Sequence, residues 1–145
     1  MPKTLFEKLW AIHEVADFGD GDSLMHIDRI FLHERTGSIA LKGLQDKQIA
    51  ISAPQHVFCT MDHIVDTTPG RNDDTLMPSG RDFIRATRKS AQQANITLFD
   101  LDSDQQGIVH VISPELGLAL PGSSVVCPDS HTCTLGGIGA LAWGI

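Results

Sequence analysis

Three short polar clusters hold the residue types that proton chemistry needs. They are Asp62-His63 in "TMDHIV", His110 in "GIVHVI", and Asp129-Ser130-His131 in "VVCPDSHTCTLGGIG". A carboxylate beside an imidazole fixes the ring in one tautomer and raises its pKa. That makes it a better proton donor near neutral pH. Each cluster also has a plainer reading. Asp62 could cap a turn, and His63 could be a solvated loop residue. His110, in an apolar run, reads by default as a core histidine with satisfied ring nitrogens. Asp129 and Ser130 are good turn and cap residues. The functional reading gains from position: all three clusters fall where strands or turns end, and α/β sheets bind their ligands there. The pattern predicts one shared site built from three loops.

Other chemistries fit less well. Cys127, His131 and Cys133 are close in sequence, but they lack a C-x-x-C spacing, and a fourth zinc ligand would have to come from far away. Ser130 lacks the G-x-S-x-G elbow of a hydrolase nucleophile. Gly136, Gly137 and Gly139 form neither a Walker loop nor G-x-G-x-x-G, and read better as packing glycines at a helix start.

The elements that must position these clusters follow from periodicity and punctuation. Thr4 with Glu7 fits a capping box, so a helix is predicted from about Leu5 to Val15. Asp17 to Asp22 is a turn. Leu24 to Leu32 reads as one strand, Ile39 to Leu44 as a short helix, and His56 to Asp62 as a strand with a polar end. A loop follows from Asp66 to Gly80, then a helix over about Arg81 to Ala94 with Phe83, Ile84 and Thr87 inward. Ile96 opens a strand. Gly107 opens an apolar turn or short helix ended by Pro114. Ser123 to Cys127 is a buried strand, and Gly136 onward opens a helix. Helices and strands alternate, so the expected class is α/β with a sheet covered by helices.

Composition bounds the function classes. The chain has 145 residues, 41% hydrophobic and 20% charged, which suits one domain with a real core. A formal net charge of −7 argues against nucleic acid and against a polybasic membrane contact. There is no signal-peptide layout, and three cysteines do not make a disulfide framework, so a reducing cytoplasm is expected. The final run "LGGIGALAWGI" reads as an unfinished apolar helix, so the sequence is expected to be part of a longer protein.

Taken together, "TMDHIV", "QGIVHVISPELGLALPG" and "VVCPDSHTCTLGGIGALAWGI", with "MPKTLFEKLWAIH" and "IDRIFLHE" before them, resemble the aconitase superfamily, and within it the branch that isomerises isopropylmalate. The resemblance covers nearly all of residues 1–145. It implies most of the first α/β domain of a large subunit. It also implies a [4Fe-4S] cluster that binds a small dicarboxylic hydroxy acid, and a stereospecific dehydration and rehydration through an alkene, in leucine biosynthesis. Position by position, His63 would assist departure of the hydroxyl and Asp62 would orient it. His110 would be a second site histidine, and Asp129, Ser130 and His131 would lie by cluster and substrate. His33 would contact substrate, a weaker match because "HERTGS" departs from the usual continuation, as Pro128 does from the usual Gly. The family's cluster ligands, a lone Cys and a C-x-x-C pair, are not matched by Cys59, Cys127 or Cys133, so no metal ligand is assigned here. The family's base and substrate arginines lie elsewhere, partly on a swivelling domain or small subunit, the expected partner. A homoaconitase, a methylmalate-type dehydratase, or a catalytically silent interaction domain are the alternatives.

Overall fold

The computed structural model describes residues 2–145. Helix α1 (Leu5–His13) starts as its capping box requires: Thr4 Oγ1 accepts from Glu7 N at 3.2 Å and the Glu7 carboxylate accepts from Thr4 N at 2.6 Å. It ends two residues before the expected Val15, because Glu14 opens β1 (Glu14–Gly19), which pairs with β2 (Asp22–Met25) in an antiparallel hairpin. Asp20 and Gly21 both take positive φ (55° and 92°), the geometry of a tight hairpin turn. The expected single strand over 24–32 is therefore two. Its first part belongs to this hairpin, and its second is β3 (Arg29–His33) of the main sheet. Between them Asp28 accepts a bond from Ser124 N at 2.8 Å, which ties the chain to the main sheet.

The main sheet has the order β5 (Thr97–Phe99), β4 (Val57–Thr60), β3, β6 (Ser124–Cys127), β7 (Leu141–Gly144), and every pair is parallel. Helices α2 (Gly37–Asp46) and α3 (Gly80–Ala94) cover one face, where Leu32, Leu41, Val57, Cys59, Ala91 and Ile96 pack. Helix α4 (Val109–Glu115) and a 3₁₀ helix over Ser130–Ile138 cover the other, over Phe31, Phe58, Phe99, Val125 and Cys127. Phe31 and Phe58 stack with centroids 5.3 Å apart. Burying each such ring is worth roughly 1.5–3 kcal/mol, so this face anchors the sheet.

The α/β class is as expected, but three local expectations are corrected. Residues 141–144 form a strand and not a helix; Gly136 and Gly137 before them lie in the 3₁₀ helix, and Gly139 ends it at a φ of 84°. Helix α4 runs one residue past Pro114. Phe83 is half-buried, whereas Ile84 and Thr87 are fully buried. No helix among the described residues is long and apolar enough to cross a membrane.

The topology decides where a site can form. From β3 the chain adds β4 and β5 on one side, then crosses to add β6 and β7 on the other. The loops leaving β3 and β6 therefore diverge and open a crevice at their carboxyl ends. His33, Asp62 and Asp129 all lie just past, or at, the ends of strands on this edge.

Candidate functional site

Asp129 is the centre of the cluster. It caps the 3₁₀ helix after β6, accepting from His131 N at 2.6 Å. The same carboxylate lies 3.0 Å from His63 Nε2, 3.1 Å from His131 Nδ1 and 3.4 Å from His110 Nε2. Partial burial works against its charge, but the His131 amide, the His131 ring and the nearby His110 outweigh that and hold its pKa down at about 2. Asp129 therefore caps the helix and at the same time gathers three histidines around its carboxylate.

His63 bridges two carboxylates. Its Nδ1 is 2.7 Å from Asp62 Oδ1, and its Nε2 faces Asp129. The hydrogen bond to Asp62 raises its pKa above the ordinary histidine value, against the opposing effect of burial. Asp62 is itself fixed, because its second oxygen accepts from Val109 N at 3.0 Å at the start of α4. This also brings α4, and hence His110, against the cluster. Both ring nitrogens of His110 are buried without a hydrogen-bond partner; the 3.4 Å approach to Asp129 is close but not aligned for a bond. It is not the satisfied core histidine that its apolar surroundings suggest.

His33 lies beneath His63 with ring centroids 3.7 Å apart. Its Nε2 is 2.9 Å from Pro128 O, across the crevice, and its Nδ1 is buried without a partner. Ser130 and His131 are exposed, with Ser130 Oγ 3.4 Å from His131 Nδ1. The structure thus brings Asp62, His63, His110, Asp129, His131 and His33 together, with Ser130 at the rim.

Glu34 was not anticipated. It is fully buried and accepts from the amides of Asp62 at 3.0 Å, His63 at 2.7 Å, and Ile64. The only sequence signal is an acid directly after an apolar strand, which says nothing about partners 28 to 30 residues away. Ligand-type atoms of His33, Glu34, Asp62 and His63 lie within 4.8 Å of one another, as a metal site would require. The Glu34 and Asp62 carboxylates already accept from main-chain amides and from His63, and only His33 Nδ1 is left unpaired, so the group reads as a hydrogen-bonded framework.

The cysteines do not form a cluster ligand set. Cys59 and Cys127 pack on opposite faces of the sheet, and Cys133 is exposed on the 3₁₀ helix. Burial pushes the Cys127 thiol up to about 12 and raises Cys59 as well, so neither is a ready thiolate.

The sequence profile of the aconitase family (aconitate hydratase) matches residues 7–145. The chain is 45% identical over 143 residues to the 3-isopropylmalate dehydratase large subunit 1 of Bradyrhizobium diazoefficiens, covering 99% of the chain. Along its whole length it is 44% identical to the 3-isopropylmalate dehydratase large subunit of Thermus thermophilus and 40% identical to that of Sorangium cellulosum. It spans about 30% of the length of these curated relatives.

Proposed function

The chain belongs to the aconitase family, and from that premise we propose that it supplies one wall of a hydro-lyase site that interconverts 2- and 3-isopropylmalate in leucine biosynthesis. The relatives named above are large subunits of that dehydratase, which supports the substrate and a small-subunit partner. Three free thiols fit a reducing cytoplasm.

The observation that carries the reading is the placing of His63 between Asp62 and Asp129. Hydroxide is a poor leaving group, so the breaking C–O bond needs a proton as it leaves. With Nδ1 held by Asp62, the Nε2 proton of His63 faces outward, where a substrate hydroxyl can replace Asp129 as its acceptor. The C–O electron pair leaves with oxygen, the imidazolium gives up its proton, and water forms. Rehydration runs the same transfer in reverse. Asp129 stays an anion and acceptor across the working range, so it orients the leaving water or the His63 ring. His110, its ring nitrogens buried and its Nε2 3.4 Å from Asp129, helps to keep that carboxylate an anion. The family's [4Fe-4S] cluster finds no ligands among Cys59, Cys127 and Cys133, so no step is assigned through it here. Loss of the second proton, from carbon, requires a base outside these residues.

The test is turnover of 2-isopropylmalate, followed by alkene absorbance, by the full-length polypeptide carrying this sequence together with its small subunit. Interconversion at rates comparable to the relatives' supports the proposal. Turnover of a different hydroxy acid in its place would overturn the substrate assignment.

A further inference from the structure

Among the described residues Glu34 is the only fully buried carboxylic acid, and its hydrogen bonds run to main-chain amides beneath the site. Its two oxygens take three consecutive amides, those of Asp62, His63 and Ile64. Its own main chain is fixed from the other side, because Thr87 Oγ1 on α3 donates to Glu34 O at 3.1 Å. Strand β4 ends at Thr60, so residues 62–64 have no ladder or helix to satisfy these donors. A side chain from the end of β3 takes that role.

We propose that Glu34 is a positioning residue for His63: it clips the 62–64 main chain to the end of β3 so that the imidazole reaches Asp62 and Asp129 at once. This rests on the role given to His63 under the proposed function. The chemistry of the clip is demanding. Three N–H donors arrive at one side chain, which suits a group with two acceptor oxygens and no donor. A glutamine would turn an NH₂ toward one of the amides, donor against donor. An aspartate keeps the charge but is one methylene shorter and cannot span all three. The consequence reaches the ring because His63 has little slack, with Nδ1 at 2.7 Å from Asp62 and its face on His33. A displacement of about 1 Å in such a site can cost a hundredfold in rate.

The experiment compares wild type, Glu34→Gln, Glu34→Asp and Thr87→Val in the full-length enzyme with its small subunit. Three readouts are taken: steady-state kinetics (kcat and KM), the titration midpoint of His63 in selectively labelled protein, and exchange of the 62–64 amides. The groups facing His63 are Asp62 on its own loop, His33 and Glu34 after β3, Asp129 after β6 and, beyond Asp129, His110 on α4. Because Glu34 also contributes charge to that midpoint, the aspartate variant separates charge from reach. Glu34→Gln should lower kcat about 10- to 100-fold with KM within threefold. It should also speed exchange at 62–64 selectively and move the His63 midpoint toward the ordinary value. Glu34→Asp should shift all three the same way despite its charge, and Thr87→Val should do so more weakly. If Glu34→Gln fails to fold, the aspartate and valine variants carry the test. Unchanged His63 titration and amide exchange in the folded variants would overturn the proposal, whatever happens to turnover. If wild type itself shows no dehydration, the proposed function fails, while titration and exchange still decide the clip.

Discussion

The imidazoles of His33 and His63 lie flat on one another, with planes 14° apart and centroids 3.7 Å apart. His33 is pinned in turn by Pro128 O. The His63 ring therefore has a floor and can move chiefly within its own plane. In that plane its two nitrogens meet two carboxylates on different loops, Asp62 and Asp129. A ring so held can keep its proton near neutral pH and present it in one direction.

From this follows the first prediction. In the full-length enzyme His63→Ala should lower turnover about 100- to 10,000-fold, the range typical of general acid catalysis. The side chain is partly exposed, so the melting temperature should change little. Asp62→Asn should act more mildly on rate, because the imidazole remains. It should lower the alkaline limit of the pH–rate profile, because the hydrogen bond that raises His63 is weakened. Turnover near normal for His63→Ala at equal protein would assign the proton to another group.

Acid stability should depend on Asp129. Its folded pKa of about 2 lies below the ordinary 3.8, so its contribution is present above about pH 4 and is lost as pH falls toward 2. Integrated over that window the effect is on the order of 2 kcal/mol. Asp129→Asn should flatten denaturant midpoints between pH 4 and 2 relative to wild type. His63 acts with the opposite sign. Its raised pKa stabilises the fold at low pH, and that contribution fades as pH rises through the folded value.

Gly144→Ala should disturb the site from behind. A Cβ there would sit 2.6 Å from Asp129 O and 3.3 Å from Ser130 Cα, both main-chain atoms that cannot swing aside. The expected cost is roughly 1–3 kcal/mol of stability, with at least a tenfold fall in turnover as Asp129 shifts. Gly137→Ala, where a Cβ meets nothing within 4 Å, is the control and should alter neither. Equal melting and equal turnover for both variants would show that strand β7 does not set the position of Asp129.

Reconstitution of residues 1–145 with iron and sulfide under anaerobic conditions should yield no charge-transfer absorption that scales with protein. Cys59 and Cys127 face opposite sides of a sheet, and both thiols are held protonated by burial. A stoichiometric cluster on these cysteines would require the sheet to open, and would overturn the alignment with the family's ligand pattern.

The sequence revealed elements wherever local chemistry was strong. The Thr4–Glu7 box announced α1, the long amphipathic run announced α3, and short apolar runs announced β4 and β6. It failed where local pattern is ambiguous. "LAWG" is too short for periodicity to separate a strand from a helix turn, and only pairing with β6 decides it. The break between β2 and β3 is invisible because its cause, Ser124, lies 96 residues away. The polar clusters were legible because they follow apolar strands. That Asp129 joins them, and that Glu34 holds one of them, depends on contacts no local window contains.

Those contacts also differ in when they can form. Glu34 and His63 are 29 residues apart, whereas His33 and Pro128 are 95 apart. Asp129 follows Ile64 by 65 residues (129 − 64), so at about 5–20 residues per second it leaves the ribosome roughly 3–13 s later. During that interval the β3–β4 pair can already hold His63 on Glu34, Asp62 and His33, since short loops close first. The nascent chain would then carry half a site, with its histidine aligned on one carboxylate, until β6 crosses to the far side of β3 and delivers the second.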